Sequence, residues 1–261
     1  MPRVSRVAVL THGKPEQIGD ALRRVEEVAR VAGVEIVEDG EDPDLAVVLG
    51  GDGTMLRGLK KWLATRVPVL GVNFGRVGFL TALDASELES GLTRAFAGEY
   101  EVVELSTLEG EAGGEHVTAV NDVVSTSSTL GRMIELGWSV GGEDLGQLAC
   151  DGVIACTPSG STAYNLSNGG PVLVWGLDAM AITFIAPHSL HARPLVVPRS
   201  SELVVENRTP DVNVTVLADG HAFAELRTGE HLTARLGPDR TLLATLPGIT
   251  FFTRYHRTFA S

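Results

Sequence analysis

Gly50-Gly51-Asp52-Gly53-Thr54 puts three glycines and one carboxylate where an apolar run, Leu45–Leu49, gives way to a helical pattern. Glycine lets backbone N–H groups approach a phosphate with no Cβ in the way. The helix start adds positive potential. A carboxylate in such a place is unfavourable unless it has a task. Two tasks fit Asp52: holding a metal that bridges phosphates, or accepting the proton of an attacking hydroxyl. Nearby phosphate charge raises the pKa of such a group, which helps a general base. The plain alternative is a strand-to-helix turn in which Asp52 caps the helix. The loop has no Walker A lysine and no Gly-x-Gly-x-x-Gly spacing, so it is neither a P-loop nor a Rossmann fingerprint.

A second glycine cluster, Asn73-Phe74-Gly75-Arg76-Val77-Gly78-Phe79-Leu80, follows the next apolar run, Val67–Val72. Loops at the ends of neighbouring strands frame a crevice in open α/β sheets. Arg57 and Arg76 are candidate partners for phosphate oxygens. For Arg57 a solvated helix arginine is the alternative. A third segment runs from Asp151 to Pro171. A strand, Val153–Cys156, leads to a turn at Pro158 and Gly160. A cluster of hydroxyls and a short helix from Ala163-Tyr164-Asn165-Leu166 follow. Hydroxyls and N–H groups there can bond a polar ligand, and Tyr164 can stack on a flat ring. An ordinary Ser/Thr-rich loop is the alternative.

The elements that must hold these loops are legible as patterns. Val4–Leu10 reads as a buried strand. Ile18, Ala21, Leu22, Val25, Val28, Ala29 and Ala32 fall at helical spacing, and Gly33 stops that helix. Val34–Val37, Leu45–Leu49 and Val67–Val72 read as further strands. The helix after the first loop runs through Leu63. Ser86 opens another, with Glu89 placed for a capping box. Alternation of this size predicts a parallel sheet with helices on its faces. Beyond Tyr100 strand alternation takes over, as in Val212–Val216 and Leu232–Leu236. Gly113-Gly114, Gly141-Gly142 and Asp219-Gly220 mark turns. The expected plan is an α/β domain over residues 1–100, completed by residues 241–261, and a mostly β domain over residues 101–240.

Composition narrows the class. The chain has 261 residues, 44% of them hydrophobic and 21% charged, enough for a sizeable core without disulfides or metals. Acidic side chains outnumber basic ones 33 to 21, a net charge of −12. That argues against nucleic acid as the main partner, since phosphate contacts want Lys and Arg. No apolar run approaches the roughly 18–20 residues of a membrane span. The longest are broken by Asp178 and by Pro187–His188. Met1–Lys14 offers only Val7–Leu10 as an apolar core, too short for a signal peptide, so a cytoplasmic location is expected. Cys150 and Cys156 read as buried thiols which, on one strand, sit too far apart to pair. His188 reads as structural. His12, His116, His191, His231 and His256 show no metal spacing, so no protein-held metal site is expected.

In their order along the chain, Gly50–Thr54, Asn73–Leu80, Asn121-Asp122, Asp151–Pro171 and Pro187-His188-Ser189-Leu190 with Arg193-Pro194 resemble NAD kinase. The glycine–Asp loop alone is shared with diacylglycerol and sphingosine kinases and, in related form, with phosphofructokinases. The Asp151–Pro171 segment is far more specific. The resemblance implies an α/β N-terminal domain, a β-rich C-terminal domain and a site between them. It implies transfer of a phosphoryl group from ATP or polyphosphate to the adenosine ribose 2′-hydroxyl of NAD, giving NADP. Mg²⁺ then rides with the donor phosphates. Asp52 matches the catalytic base. Gly51, Gly53, Thr54, Arg57 and Phe79 match neighbouring ligand contacts, and Asn121 and Asp122 a ribose-holding pair. Arg132 matches a basic substrate contact and Asp151 an acidic residue near the nicotinamide. Ser159, Thr162, Ala163, Tyr164 and Ser167 match the adenine side, and His221 a polar contact.

Three positions depart from the common pattern: Asp122 stands for Glu, Ser159 for Thr, and Ala149 for a basic residue. The resemblance also implies a homodimer or homotetramer. A diacylglycerol-type lipid kinase and a catalytically silent NAD(P) sensor are the alternatives. The acidic balance, without a polybasic stretch, speaks against the former, and the retained Asp52 against the latter.

Overall fold

The computed structural model describes residues 1–12, 15–38, 41–75 and 78–259, with the side chains of 15–18 left aside. The chain divides into two compact units, residues 1–104 with 240–261, and residues 105–239.

Apolar runs too short for helices, alternating with amphipathic stretches, build the first unit. In chain order these are β1 (Arg6–Thr11), α1 (Pro15–Ala32), β2 (Glu35–Val37), β3 (Leu45–Gly50), α2 (Asp52–Lys61), β4 (Val69–Asn73), β5 (Leu83–Asp84) and α3 (Leu88–Phe96). The strands lie in the order β2-β1-β3-β4, every neighbour parallel. β3 is buried along its whole length, as a strand covered on both faces must be. Ala21, Val25 and Ala29 of α1 pack with Leu92, Ala95 and Phe96 of α3 in one core. A Cβ at Gly58 would lie 2.7 Å from Val48 Cγ2, so this glycine lets α2 settle closely on β3.

The cap before α3 differs from the expected one. The box is formed by Asp84 and Glu87, around a single 3-10 turn over Ala85–Glu87. Asp84 leaves β5 with extended backbone (φ −86°, ψ 158°), which an N-cap requires, whereas Ser86 already lies inside the turn. Glu89 instead accepts two hydrogen bonds from Arg24 of α1, at 2.5 and 2.8 Å.

The second unit is built from strands. They are β6 (Glu101–Ala112), which begins in the first unit, β7 (Glu115–Ala119), β8 (Asp122–Ser127), β9 (Ile134–Val140), β10 (Glu143–Cys150) and β11 (Gly152–Cys156). After the short helix α4 (Tyr164–Ser167) come β12 (Ala179–Ile185), β13 (Leu195–Pro198), β14 (Leu203–Asn207), β15 (Val214–Ala218), β16 (His221–Leu226) and β17 (His231–Thr245). One antiparallel sheet has the order β13-β12-β11-β8-β15-β16. A second set pairs β10-β9-β14-β17 and β6 with β7, again antiparallel. Val153, Ile182 and Val214 of the first sheet share one core with Leu136, Val205 and Leu232 of the second, a sandwich. Gly113-Gly114, Gly141-Gly142 and Asp219-Gly220 each carry two consecutive positive φ angles. Two-residue hairpins of right-handed twist need that conformation.

The segment holding the two cysteines is not one strand. β10 ends at Cys150 in one sheet and β11 starts at Gly152 in the other, so Asp151 is where the chain changes sheets. Both thiols are free and buried. Burial pushes them up to about 11 for Cys150 and about 12 for Cys156.

The last part of β17 returns to the first unit, where Leu243 and Ala244 pair in parallel with Val69 and Leu70 of β4. The helix α5 (Phe251–Phe259) closes the described chain. No helix among the described residues is long and apolar enough to cross a membrane.

Candidate active site

In the first unit β3 and β4 run in register, with Gly50 opposite Asn73. The two glycine loops therefore leave the same edge of the sheet. The Phe74 N–H donates to the Gly50 carbonyl at 3.3 Å. Asp52 is the first residue of α2. The position before it is Gly51, extended (φ −99°, ψ −171°) and making no side-chain cap. The Asp52 carboxylate does not cap its own helix. It reaches the other loop: Oδ2 accepts the Phe79 N–H at 2.8 Å and Oδ1 the Leu80 N–H at 3.0 Å. Gly78 makes room for this approach. A Cβ there would collide with Thr81 Oγ1 and come within 3.3 Å of Asp52 Oδ1.

Burial raises the Asp52 carboxyl above its ordinary value. The Phe79 and Leu80 N–H groups and the Arg254 charge work against that rise. The environment thus gives a carboxylate of raised affinity for a proton. Gly51 and Gly53 behave differently from Gly78. Neither has a positive φ, and a Cβ at either would meet nothing within 4 Å. The fold does not demand glycine there, and the space beside each is open. Thr54 is buried at the foot of the loop. Arg57 is exposed and donates to His12 Nδ1 at 3.2 Å. Arg76 lies outside the described residues.

Phe79 supplies its backbone N–H to Asp52, while its ring is buried against Phe251 and Phe259, at centroid distances of 5.4 and 6.0 Å. On α5, Arg254 is 1% exposed. Its Nη1 donates to the carbonyls of Phe79, at 2.9 Å, and of Thr81, and its Nη2 to Thr245 Oγ1 at 3.0 Å. Burial lowers its pKa to about 10, which leaves it charged at neutral pH.

In the second unit Asn121 and Asp122 stand at the entry to β8. Asp219, at φ +49° in the β15–β16 turn, aims its carboxylate at their backbone. It accepts the N–H of Val120 at 2.9 Å, of Asn121 at 2.7 Å and of Asp122 at 3.3 Å. The Asp219 N–H returns a bond to the Asp122 carbonyl at 3.0 Å. Asn121 and Asp122 are both buried, and the Asn121 Oδ1 finds no donor among the described residues. Burial first, and the Asp219 charge second, push the Asp122 carboxyl up to about 7. An amide oxygen without a donor, beside a carboxyl balanced between its two states, suits the hydroxyl groups of a polar ligand.

The Asp151–Pro171 segment packs onto this pair. Thr157 donates its N–H to the Asn121 carbonyl and its Oγ1 to the Val120 carbonyl, at 2.9 and 2.7 Å. A Cβ at Gly160 would collide with the Asn121 carbonyl. Ser159 is buried and donates to the Val120 carbonyl at 3.1 Å, so its hydroxyl braces the segment from inside. Asn165 is also internal: Nδ2 bonds the Ser161 and Pro171 carbonyls, both at 3.0 Å, and Oδ1 accepts from Thr183 Oγ1 at 2.6 Å. Tyr164 and Ser167 face solvent, and Thr162 and Ala163 are half-buried. Arg132, Asp151 and His221 are exposed, with His221 Nδ1 held 3.0 Å from the Asp219 carbonyl.

Sequence reasoning missed Asp219 and Arg254 as members of these clusters. Asp219-Gly220 announces only a turn. Arg254 bonds carbonyls 175 and 173 positions away, for which no local pattern exists.

The model of the ATP-NAD kinase N-terminal domain matches residues 10–100, and that of the ATP-NAD kinase C-terminal domain residues 120–246. The chain belongs to the NAD kinase family. An NAD kinase of Gemmatimonas aurantiaca is 38% identical over 217 residues, covering 81% of this chain and 75% of that one. An NAD kinase of Heliobacterium modesticaldum is 37% identical over 254 residues, 95% and 83% of the two chains. Among solved structures, yeast NADH kinase complexed with NADH shares the fold at a TM-score of 0.85 and 22% identity, covering 99% of this chain and 88% of that one. An Archaeoglobus fulgidus NAD kinase in complex with ATP has a TM-score of 0.79 at 27% identity, covering 98% and 97%. The NAD kinase fold, an α/β unit followed by an antiparallel β unit, is the one described above. The function is that of an NAD kinase, a phosphotransferase acting on NAD.

Proposed function

We propose that Asp52 is the general base of this kinase and that the ribose 2′-hydroxyl of the adenosine half of NAD is its acceptor. Asp52 takes the hydroxyl proton. The oxygen forms a bond to the γ-phosphorus of the donor, the bond from that phosphorus to the bridging oxygen breaks, and ADP leaves with NADP as the product. The observation that carries the reading is the Asp52 carboxylate itself. It is fixed by two backbone N–H groups, raised in proton affinity by burial, and flanked by Gly51 and Gly53 with open space around them. A base held in place needs no reorganisation when the hydroxyl arrives.

ATP is the donor we favour, since the Archaeoglobus relative is bound to it. Polyphosphate is the second candidate. Among the described residues no three His, Cys, Asp or Glu side chains gather as a metal cage. Magnesium, delivered on the donor phosphates, would neutralise charge there as the phosphoryl group transfers. Gly51, Gly53, Thr54 and Arg57 receive phosphates. Asn121 and Asp122 bind the diol of a ribose through the unpartnered amide oxygen and the carboxyl. Tyr164, Thr162, Ala163 and Ser167 present the surface for the adenine, with Ser159 supporting it from within. Arg132, Asp151 and His221 complete the polar contacts. We further propose a cytoplasmic homo-oligomer. The first β-rich sheet leaves two edge strands, β13 and β16, open to pairing.

Purified protein with Mg-ATP and NAD tests this directly, with NADP read by a coupled NADP-specific dehydrogenase. NADP formation supports the reading. Binding of NAD without turnover on ATP or polyphosphate would move it to a silent sensor.

A further inference from the structure

We propose that Arg254 is the positioning residue for Asp52: its buried guanidinium fixes the Phe79–Thr81 segment whose N–H groups hold the catalytic carboxylate. The proposal rests on the reading of Asp52 as base.

One short segment carries two sets of bonds. Its N–H groups, from Phe79 and Leu80, go to the two oxygens of Asp52. Its carbonyls, of Phe79 and Thr81, accept from Arg254 Nη1. The Phe79 peptides thus lie between a cation and a carboxylate, and bonds in such a chain polarise one another. Arg254 is in turn anchored by Thr245 Oγ1, which itself donates to the Ile249 carbonyl at 3.0 Å. The ring of Phe79 packs on Phe251 of the same helix. The segment is therefore gripped through its backbone and its side chain by one element, α5.

Burying an arginine is costly, and carbonyl oxygens do not neutralise its charge. Among the described residues, the Asp52 charge favours the cation and Arg257, one turn on, opposes it. Arg257 is drawn toward Asp84 at 3.7 Å. Asp52 is a carboxylate whose charge favours keeping a cation here. The planar fork matters as well as the charge. Lysine has the charge but cannot span two carbonyls and a hydroxyl in one plane.

The sign of the effect follows. Burial pushes the Asp52 carboxyl up, and the Arg254 charge pulls it down. Without that charge the carboxyl rises further, and less of it is ionised at neutral pH.

The test is kcat, KM for NAD and the pH profile of kcat for wild type, Arg254→Met, Arg254→Lys, Thr245→Val and Asp52→Asn. For Arg254→Met the expectation is a kcat lower by about tenfold or more at neutral pH. Its KM for NAD should stay within about twofold of wild type, because Arg254 acts through Asp52 and not through bound NAD. The acid limb of its profile should move up by about one pH unit. Arg254→Lys should return the limb toward wild type while recovering only part of kcat. In Arg254→Met, where the charge itself is removed, a merely structural role would lower kcat with the limb unmoved, and that result overturns the proposal. Should Arg254→Met fail to fold, Thr245→Val keeps the charge and removes one anchor. It is expected to lower kcat severalfold with the limb and KM unchanged, and an unchanged kcat overturns the proposal. If Asp52→Asn is fully active, the base assignment itself has failed. If Asp52→Asn is inactive and the Arg254 variants match wild type, only the positioning role has failed.

Discussion

Asp219 Oδ1 accepts the Asn121 N–H at 2.7 Å, although the two residues are 98 positions apart in the chain. The same carboxylate takes the N–H groups on either side, of Val120 and Asp122. A turn residue, held at a positive φ, thereby sets the backbone from which the proposed ribose-binding pair projects.

Asp219→Asn tests that relationship. The amide has one acceptor oxygen where the carboxylate has two, and it carries no charge. The expected result is a KM for NAD raised by about tenfold and a stability lower by about 1–3 kcal/mol. KM from initial rates and a denaturation curve check both. A folded variant with unchanged KM contradicts the assigned role.

Asp122→Asn should separate stability from binding through pH. The folded carboxyl is raised to about 7 from an ordinary 3.8, so the native state prefers it protonated. Stability from this group is full below the unfolded value and is lost as pH rises through about 7. Asparagine does not ionise. The variant should therefore match wild type near pH 4 and exceed it above pH 7, by roughly 2–4 kcal/mol. NAD affinity should fall in the same variant. Thermal unfolding across that pH range is the measurement, and a variant less stable at every pH contradicts the assigned burial.

Gly53→Ala sets fold against function at a single atom. The added Cβ meets nothing within 4 Å, and alanine is the better helix former in α2. Stability should rise or stay within about 1 kcal/mol of wild type. kcat/KM for the donor should fall, because the methyl group occupies the space a phosphate approaches. Unchanged donor kinetics would remove the reason given for glycine there.

Gly160→Ala should behave in the opposite way. Its Cβ would run into the Asn121 carbonyl, part of the backbone that must not move. A loss of about 1–3 kcal/mol is expected, with NAD binding weakened alongside. A variant of wild-type stability contradicts the packing described.

The sequence made the scaffold readable because its signals are local. Three glycine-bearing turn pairs became two-residue hairpins, and the buried run Leu45–Leu49 became a strand opening onto Asp52. The Asp84–Glu87 box was misplaced by two residues, since the position of a cap depends on where β5 releases the chain. Val153–Cys156 is the strand its pattern predicts, while the whole stretch from Cys150 to Cys156 is divided between two strands. Composition does not show that Asp151 crosses between sheets. Within the candidate site, residue type and position alone single out Asp52, a carboxylate among glycines, whereas Asn121 and Asp122 follow only from the resemblance to NAD kinase. The supports were not readable. Ser159 and Phe79, matched to ligand contacts by the resemblance, each have the side chain turned inward, which residue type does not announce. Asp219 and Arg254 act through partners far away in sequence, which only the folded chain brings together.

The central claim is that Asp52 accepts the proton. Asp52→Asn keeps the size of the side chain and one acceptor oxygen, but gives up the basic carboxylate. NADP formation at saturating Mg-ATP and NAD should drop by about 10²–10⁴-fold, while the affinity for NAD, read by calorimetry, stays near wild type. Turnover at the wild-type rate would show that another group removes the proton and would contradict the account.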